Sequence, residues 1–246
     1  DLFRAGLANI QPYLRSLDGE HVVWCEGAFW QIVPFVHGLE VPRPGWIHEA
    51  WRGELMADFL LTLRACSGRI PRERHGLFSI VAFIRDLVTK IARQRPELIP
   101  RLEPALELLS ELDLIYGSLP VAFCHGDYHP LNVIWGLRGI KAVIDWEFCG
   151  HKVELYDVAN LIGCAGIEDP EGLRGRFVLA LLKRLGQAGI IAEYSWLYLH
   201  ELVLALRFAW LSEWLRAGDE EMVELETSFI RLLVQRRVML RDLWEI

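Results

Sequence analysis

The chain has 246 residues, 52% hydrophobic and 24% charged, with a formal net charge of −7 and a pI of about 5.7. That length buries a real core, in one large domain or two small ones. The acidic balance gives no electrostatic footprint for a nucleic-acid partner; it suits a cationic substrate or a metal-nucleotide.

Residues 20–37 read as strands. His21 to Cys25, a Glu26-Gly27 turn, and Phe29 to Val33 make a hairpin rich in β-branched and aromatic residues, stopped by Pro34. Val41 to Gly45 is a proline-rich loop. From Trp46 the pattern turns helical: Trp51, Leu55, Phe59 and Leu63 recur at four-residue steps. A second helix is expected over about Leu77 to Arg95, broken by Pro96 and Pro100, and a third from about Pro104 to Tyr116. A short β region follows: Val121 to Cys124, Asn132 to Trp135 and Lys141 to Ile144. The remainder reads as helices over roughly 155–163, 170–187, 191–216 and 219–243. The most apolar window, Trp196 to Leu215, holds Glu201, Arg207 and Glu213, so it reads as a buried helix and not a membrane span.

Five cysteines (Cys25, Cys66, Cys124, Cys149, Cys164) are odd in number and form no C-x-x-C pair, as expected of buried reduced thiols in a cytoplasmic protein. The N-terminus has no apolar core segment, so no secretory signal is expected.

The chemistry concentrates in the β region. His125-Gly126-Asp127-Tyr128-His129-Pro130-Leu131-Asn132 fills the loop after an apolar strand, and Ile144-Asp145-Trp146 closes the next hairpin. A carboxylate at Asp127 can orient a substrate hydroxyl or accept its proton. Asn132 and Asp145 offer the hard oxygens that Mg²⁺ prefers when it also holds nucleotide phosphates. Phosphoryl transfer needs such a set, because its chemistry is mainly positioning and charge neutralisation. His125, Asp127 and His129 also read as an H-x-D-x-H zinc site of a hydrolase, but that reading leaves Asn132 and the Ile-Asp-Trp strand unused.

The combined motif resembles the aminoglycoside phosphotransferase and choline kinase family. The resemblance implies an α+β, protein-kinase-like fold. It implies a catalytic aspartate at Asp127, a structural histidine at His125, and metal ligands at Asn132 and Asp145. It also implies ATP and Mg²⁺ as cofactors and a small-molecule hydroxyl as acceptor, with neither nucleic acid nor membrane as partner. Tyr156-Asp157-Val158-Ala159 is similar to the family's helix start, where an aspartate buttresses the catalytic loop. Trp30 to Gly38 looks like the strand and hinge against which adenine lies, with Pro34, Phe35 and Val36 as the contacts.

On this reading residues 1–38 are a remnant of the N-terminal lobe and hinge, and residues 39–246 form the helical lobe with the catalytic loop. The family's glycine-rich turn and strand lysine have no counterpart before the hinge, and the first lysine is Lys90. With Asp1 at the start, the chain reads as a fragment of a kinase or as a non-catalytic, pseudokinase-like nucleotide-binding module.

Several residues keep two readings. His129 touches substrate or is an ordinary loop histidine; Glu147 assists Asp145 or faces solvent. Trp214, with Trp196, Tyr198 and Trp210, is core packing or an aromatic wall for substrate. Glu220 and Glu221 open a solvated helix or hold substrate ammonium groups.

Overall fold

A computed structural model describes residues 1–71 and 78–244. The first segment forms a small hairpin, β1 (Val23–Cys25) paired antiparallel with β2 (Ala28–Trp30). Both strands are exposed along their length. Beyond it the chain runs extended to a short 3-10 turn at Gly45–His48 and enters α1 (Ala50–Ser67). Next come α2 (Ile80–Gln94), capped by the Ser79 side chain accepting from Ala82 N–H at 3.3 Å, and α3 (Ile99–Ile115). The start expected for α2 at Leu77 lies outside the described residues.

Pro100 does not break α3. It sits in the first turn, where its missing N–H costs nothing. The helix therefore begins five residues before Pro104, the expected start, which is accommodated inside.

Four more strands make a β island that carries the polar motif. β3 (Val121–Cys124) pairs with β6 (Gly150–Val153), and β4 (Val133–Trp135) pairs with β5 (Ile140–Val143), all antiparallel. β6 was not anticipated from sequence, because His151 and Lys152 interrupt its apolar pattern. The β4–β5 ribbon is flanked on both sides by chain from before α1. Ile10 bridges Val143 in parallel, and Leu39 bridges Trp135 antiparallel.

The helical body follows as α4 (Tyr156–Glu168), α5 (Arg176–Ala188), the short α6 (Glu193–Trp196), α7 (Leu199–Ala217), α8 (Glu220–Gln235) and α9 (Arg237–Trp244). Three expected long helices are each split. Extended backbone at Gly175 separates a 3-10 turn (Pro170–Arg174) from α5. A non-helical turn parts α6 from α7, and another at Arg236 parts α8 from α9.

α4 is almost wholly buried and packs against α7. α1 lies along α5 so closely that a Cβ on Gly53 would stand 2.1 Å from the Phe177 carbonyl oxygen. The charges of the apolar window are neutralised internally. Arg207 donates from Nε and Nη2 to Glu226 at 2.6 and 2.7 Å, both side chains being buried, and Glu201 is held by Arg237 at 2.9 Å. Among the described residues no helix is long and apolar enough to cross a membrane. None of the five cysteines forms a disulfide; Cys25, expected buried, is exposed on the first hairpin.

Breaking one half of the Arg207–Glu226 pair leaves a buried charge alone. Glu226→Gln should cost about 3–5 kcal/mol of stability, and the double replacement Arg207→Met with Glu226→Leu should recover most of it. Urea denaturation of the three variants measures both.

Candidate active site

The site is built on two loops of the island that are fastened to each other and to α4. Asp157, in the first turn of α4, is the fastener. Its Oδ2 accepts the His125 N–H at 2.7 Å and its Oδ1 accepts the Gly126 N–H at 2.8 Å. Burial pushes the Asp157 carboxyl above its ordinary pKa, while His125 and the two N–H groups pull the other way.

Gly126 has φ +91°, and a Cβ there would stand 2.1 Å from the Phe148 carbonyl oxygen. The chain must bend left-handed at this point while touching backbone, which only glycine does without strain.

His125 is fully buried and uses both ring nitrogens. Nε2 lies 2.9 Å from the Ile144 carbonyl, and Nδ1 accepts the Asp127 N–H at 3.2 Å. That pairing sets the tautomer with the proton on Nε2. Burial holds the ring below its ordinary pKa, so it stays neutral. With both nitrogens committed, His125 is a positioning residue and not a zinc ligand, which removes the H-x-D-x-H reading. Among the described residues no group of three His, Cys, Asp or Glu side chains is placed to hold a metal.

Ile144 ties the second loop to the first. Its N–H donates to the Asn132 carbonyl at 3.0 Å while its carbonyl faces His125. Asp145 follows at once in the left-handed region, φ +65°, a conformation aspartate tolerates better than most residues. The bend leaves its side chain exposed.

Asp127, Asn132 and His129 form one cluster. Asn132 Nδ2 donates to both the Asp127 carbonyl and its Oδ2 at 3.0 Å, and His129 Nε2 lies 3.4 Å from the same Oδ2. Burial raises the Asp127 carboxyl, but contacts from His129 and Asn132 outweigh it and hold the group below its ordinary value. Because the Asn132 amide nitrogen is spent on Asp127, its oxygen is the end left for a cation. That oxygen and the exposed Asp145 carboxylate, on the loop bonded to Asn132 through Ile144, are hard donors of the type Mg²⁺ takes.

Two cavities open on either side of the island. One, of about 580 Å³, is lined by Asp127, Glu147, Phe148, Tyr156, Asn160 and Trp210, among others. The second, of about 490 Å³, is lined by Ile144, Asp145, Trp146, Val33 and the first residues of the chain.

The remaining expected contacts fall unevenly. Pro34, Phe35 and Val36 lie in an extended segment off the second cavity's wall; Val33, one residue earlier, lines it. Glu147 lines the first cavity. Trp214 does not: it stacks behind Trp210, ring centroids 6.0 Å apart, and Trp210 faces the space. Glu220 and Glu221 lie off that wall as well. Glu220 is taken by Arg95 at 2.8 and 3.0 Å, bracing α8 on the chain after α2. The acid that α7 does bring to the wall is Glu213, beside Arg216.

Lys152 escaped sequence reading because a lysine in a strand normally faces solvent. Here it is buried and donates from Nζ to the Phe148 carbonyl at 2.6 Å, fixing the carbonyl on which Gly126 rests. Nothing in the sequence pattern of α4 distinguishes Asn160 from an ordinary helix residue, whereas Trp210, read with Trp214 as core packing or an aromatic wall, does line the first cavity.

Gly126→Ala should lower stability by about 2 kcal/mol or more and reduce turnover sharply, since the strained conformation and the overlap add; thermal melts and steady-state rates check it. A pH dependence follows from His125. The unfolded chain takes up a proton near pH 6.5, about the ordinary value, and the folded chain only lower. Stability is therefore full above about pH 6.5 and is lost as pH falls toward the folded value. Melting temperature should fall from pH ~7 to ~5, and His125→Gln should start lower but fall less steeply. Asp127 stays ionised across that window, so activity lost there would track unfolding.

A model of the phosphotransferase enzyme family matches residues 3–200. A homoserine kinase from Rhodopseudomonas palustris (strain HaA2) is 28% identical over 209 residues, covering 82% of this chain and 62% of that protein. The chain thus spans less than two thirds of that relative's length. Among solved structures, a choline/ethanolamine kinase family protein from Mesorhizobium loti superposes with a TM-score of 0.65 at 14% identity, over 99% of this chain and 79% of the other. Amicoumacin kinase hAmiN, in complex with AMP-PNP, Ca²⁺ and Ami, superposes with a TM-score of 0.68 at 14% identity, over 96% and 76%. These likenesses establish the α+β, protein-kinase-like fold expected from the motif. With the family model covering most of its length, the chain belongs to the phosphotransferase enzyme family.

Proposed function

We propose that this protein is an ATP-dependent phosphotransferase acting on a hydroxyl of a small molecule, in the cytoplasm where ATP is plentiful. The observation that carries the proposal is the division of the site. Asp127 lines one cavity and Asp145 the other, although the loops bearing them are joined through Ile144. An acceptor in the first cavity and a nucleotide in the second would meet across the island, which is the positioning that phosphoryl transfer requires. The nucleotide-bearing kinase among the solved relatives supports the choice of donor.

Asp127 then receives the acceptor hydroxyl. Held below the ordinary carboxylate range, it is a weak base, suited to orienting the hydroxyl and taking its proton late, as a loose transition state asks. Asn132 and Asp145 would hold Mg²⁺, which supplies neutralising charge to the donor phosphates. Val33 borders the donor side, and Pro34, Phe35 and Val36 just beyond it would meet adenine. Residues 1–38 would serve the donor side, and residues 39–246 would carry the loop that receives the acceptor.

One observation favours the pseudokinase-like reading for residues 1–246 taken alone: among the described residues no lysine or arginine lines the donor cavity. On the kinase reading, affinity for the triphosphate depends strongly on Mg²⁺.

Transfer of labelled phosphate from ATP to a panel of amino alcohols, sugars and choline-like alcohols by the full-length protein tests the proposal. Asp127→Ala should lower kcat by about 10²–10⁴. Asp145→Ala should raise the Mg²⁺ needed for half-maximal rate. Near wild-type transfer by Asp127→Ala would sink the catalytic assignment.

A further inference from the structure

The cavity before Asp127 has a chemistry of its own. Five of its described lining residues are aromatic: Phe78, Phe83, Phe148, Tyr156 and Trp210. Phe78 and Tyr156 meet edge to face at 6.0 Å. Three of these rings are already engaged with internal cations. Lys152 Nζ lies 5.7 Å from the Phe78 centroid and 5.4 Å from that of Tyr156, and the Arg207 guanidinium lies 5.7 Å from Trp210. A ring whose negative face serves one cation has less to offer a second. These walls therefore act as flat apolar surfaces, not as a cage for quaternary ammonium.

The carboxylates are few. Besides Asp127, the described residues place Glu147 and Glu213 on this wall, and Glu213 is bonded to Arg216 at 2.9 Å. Glu147 makes no hydrogen bond or ion pair with another described residue. A polycationic sugar would bring several ammonium groups to one uncommitted acid and leave the others desolvated and unpaired, which is costly. The volume of about 580 Å³ is that of a site for a drug-sized molecule.

The geometry points to an acceptor with a flat aromatic or apolar body and a single primary ammonium beside its reactive hydroxyl. The body lies against Phe78, Phe148 and Tyr156, the ammonium meets Glu147, and the hydroxyl faces Asp127. This rests on the phosphotransferase reading for the hydroxyl's fate, but the recognition chemistry is testable without turnover.

Isothermal calorimetry of the full-length protein with four probes decides it: naphthylalaninol, its N-acetyl form, choline and kanamycin. Naphthylalaninol should bind at least tenfold tighter than each of the others. Glu147→Gln should shrink its advantage over the N-acetyl form to within about threefold while leaving affinity for the N-acetyl form unchanged, an outcome that general loss of structure would not give. Equal affinity for the N-acetyl form, preference for choline or kanamycin, or binding of none of the four overturns the inference. Labelled-phosphate transfer separates the two proposals. Transfer to kanamycin but not naphthylalaninol overturns the acceptor assignment and leaves the kinase standing. Tight naphthylalaninol binding with no transfer to any alcohol supports the pocket chemistry and sinks the kinase.

Discussion

The site depends on one bidentate contact, the Asp157 carboxylate across the N–H groups of His125 and Gly126. Hydrogen bonds to a charged acceptor are the strong ones, and two in parallel also fix direction. The contact pins the start of the His125–Asn132 loop to α4, a largely buried helix. From there the order is inherited: His125 fixes Asp127 N–H and reaches Ile144, and Ile144 reaches Asn132. A raised carboxyl at Asp157 is the expense of placing that charge under the island. The buried cation of Lys152 close by offsets part of it while holding the opposing loop.

Asp127 and Asp145 are close in the chain of contacts yet serve different spaces, and the backbone explains how. The left-handed residues Gly126 and Asp145 each reverse the chain just where a strand ends. One bend delivers a carboxylate toward the aromatic chamber, the other toward the N-terminal segment. An ordinary extended residue at either point would continue the strand and carry the side chain past the mouth of the site.

Much of this was legible in the sequence. The polar octapeptide between two apolar strands marked the first loop, and Ile144-Asp145-Trp146 marked the second loop fastened to it. Asp157 was visible through the same resemblance. What stayed hidden belongs to tertiary packing. Lys152 looks like a solvent-facing strand residue until β6 is seen pairing with β3 under Phe148. Trp210 and Trp214 sit one helical turn apart, and only the neighbours of α7 decide which of them faces a cavity. Glu220 looked available because its partner, Arg95, lies 125 positions away. Proline misled about α3, since a proline in the first turn and one that ends a helix are written alike.

Each outer side of the β4–β5 ribbon carries one isolated bridge, to Ile10 on one and to Leu39 on the other. Lys141 adds a third tether, donating to the His37 carbonyl at 2.8 Å. The chain around Ile10 and from His37 to Leu39 is therefore stitched to the same ribbon that leads to Asn132 and Asp145. A displacement of those segments would therefore be felt at Asn132 and Asp145 together, and through the Asn132 amide at Asp127 as well.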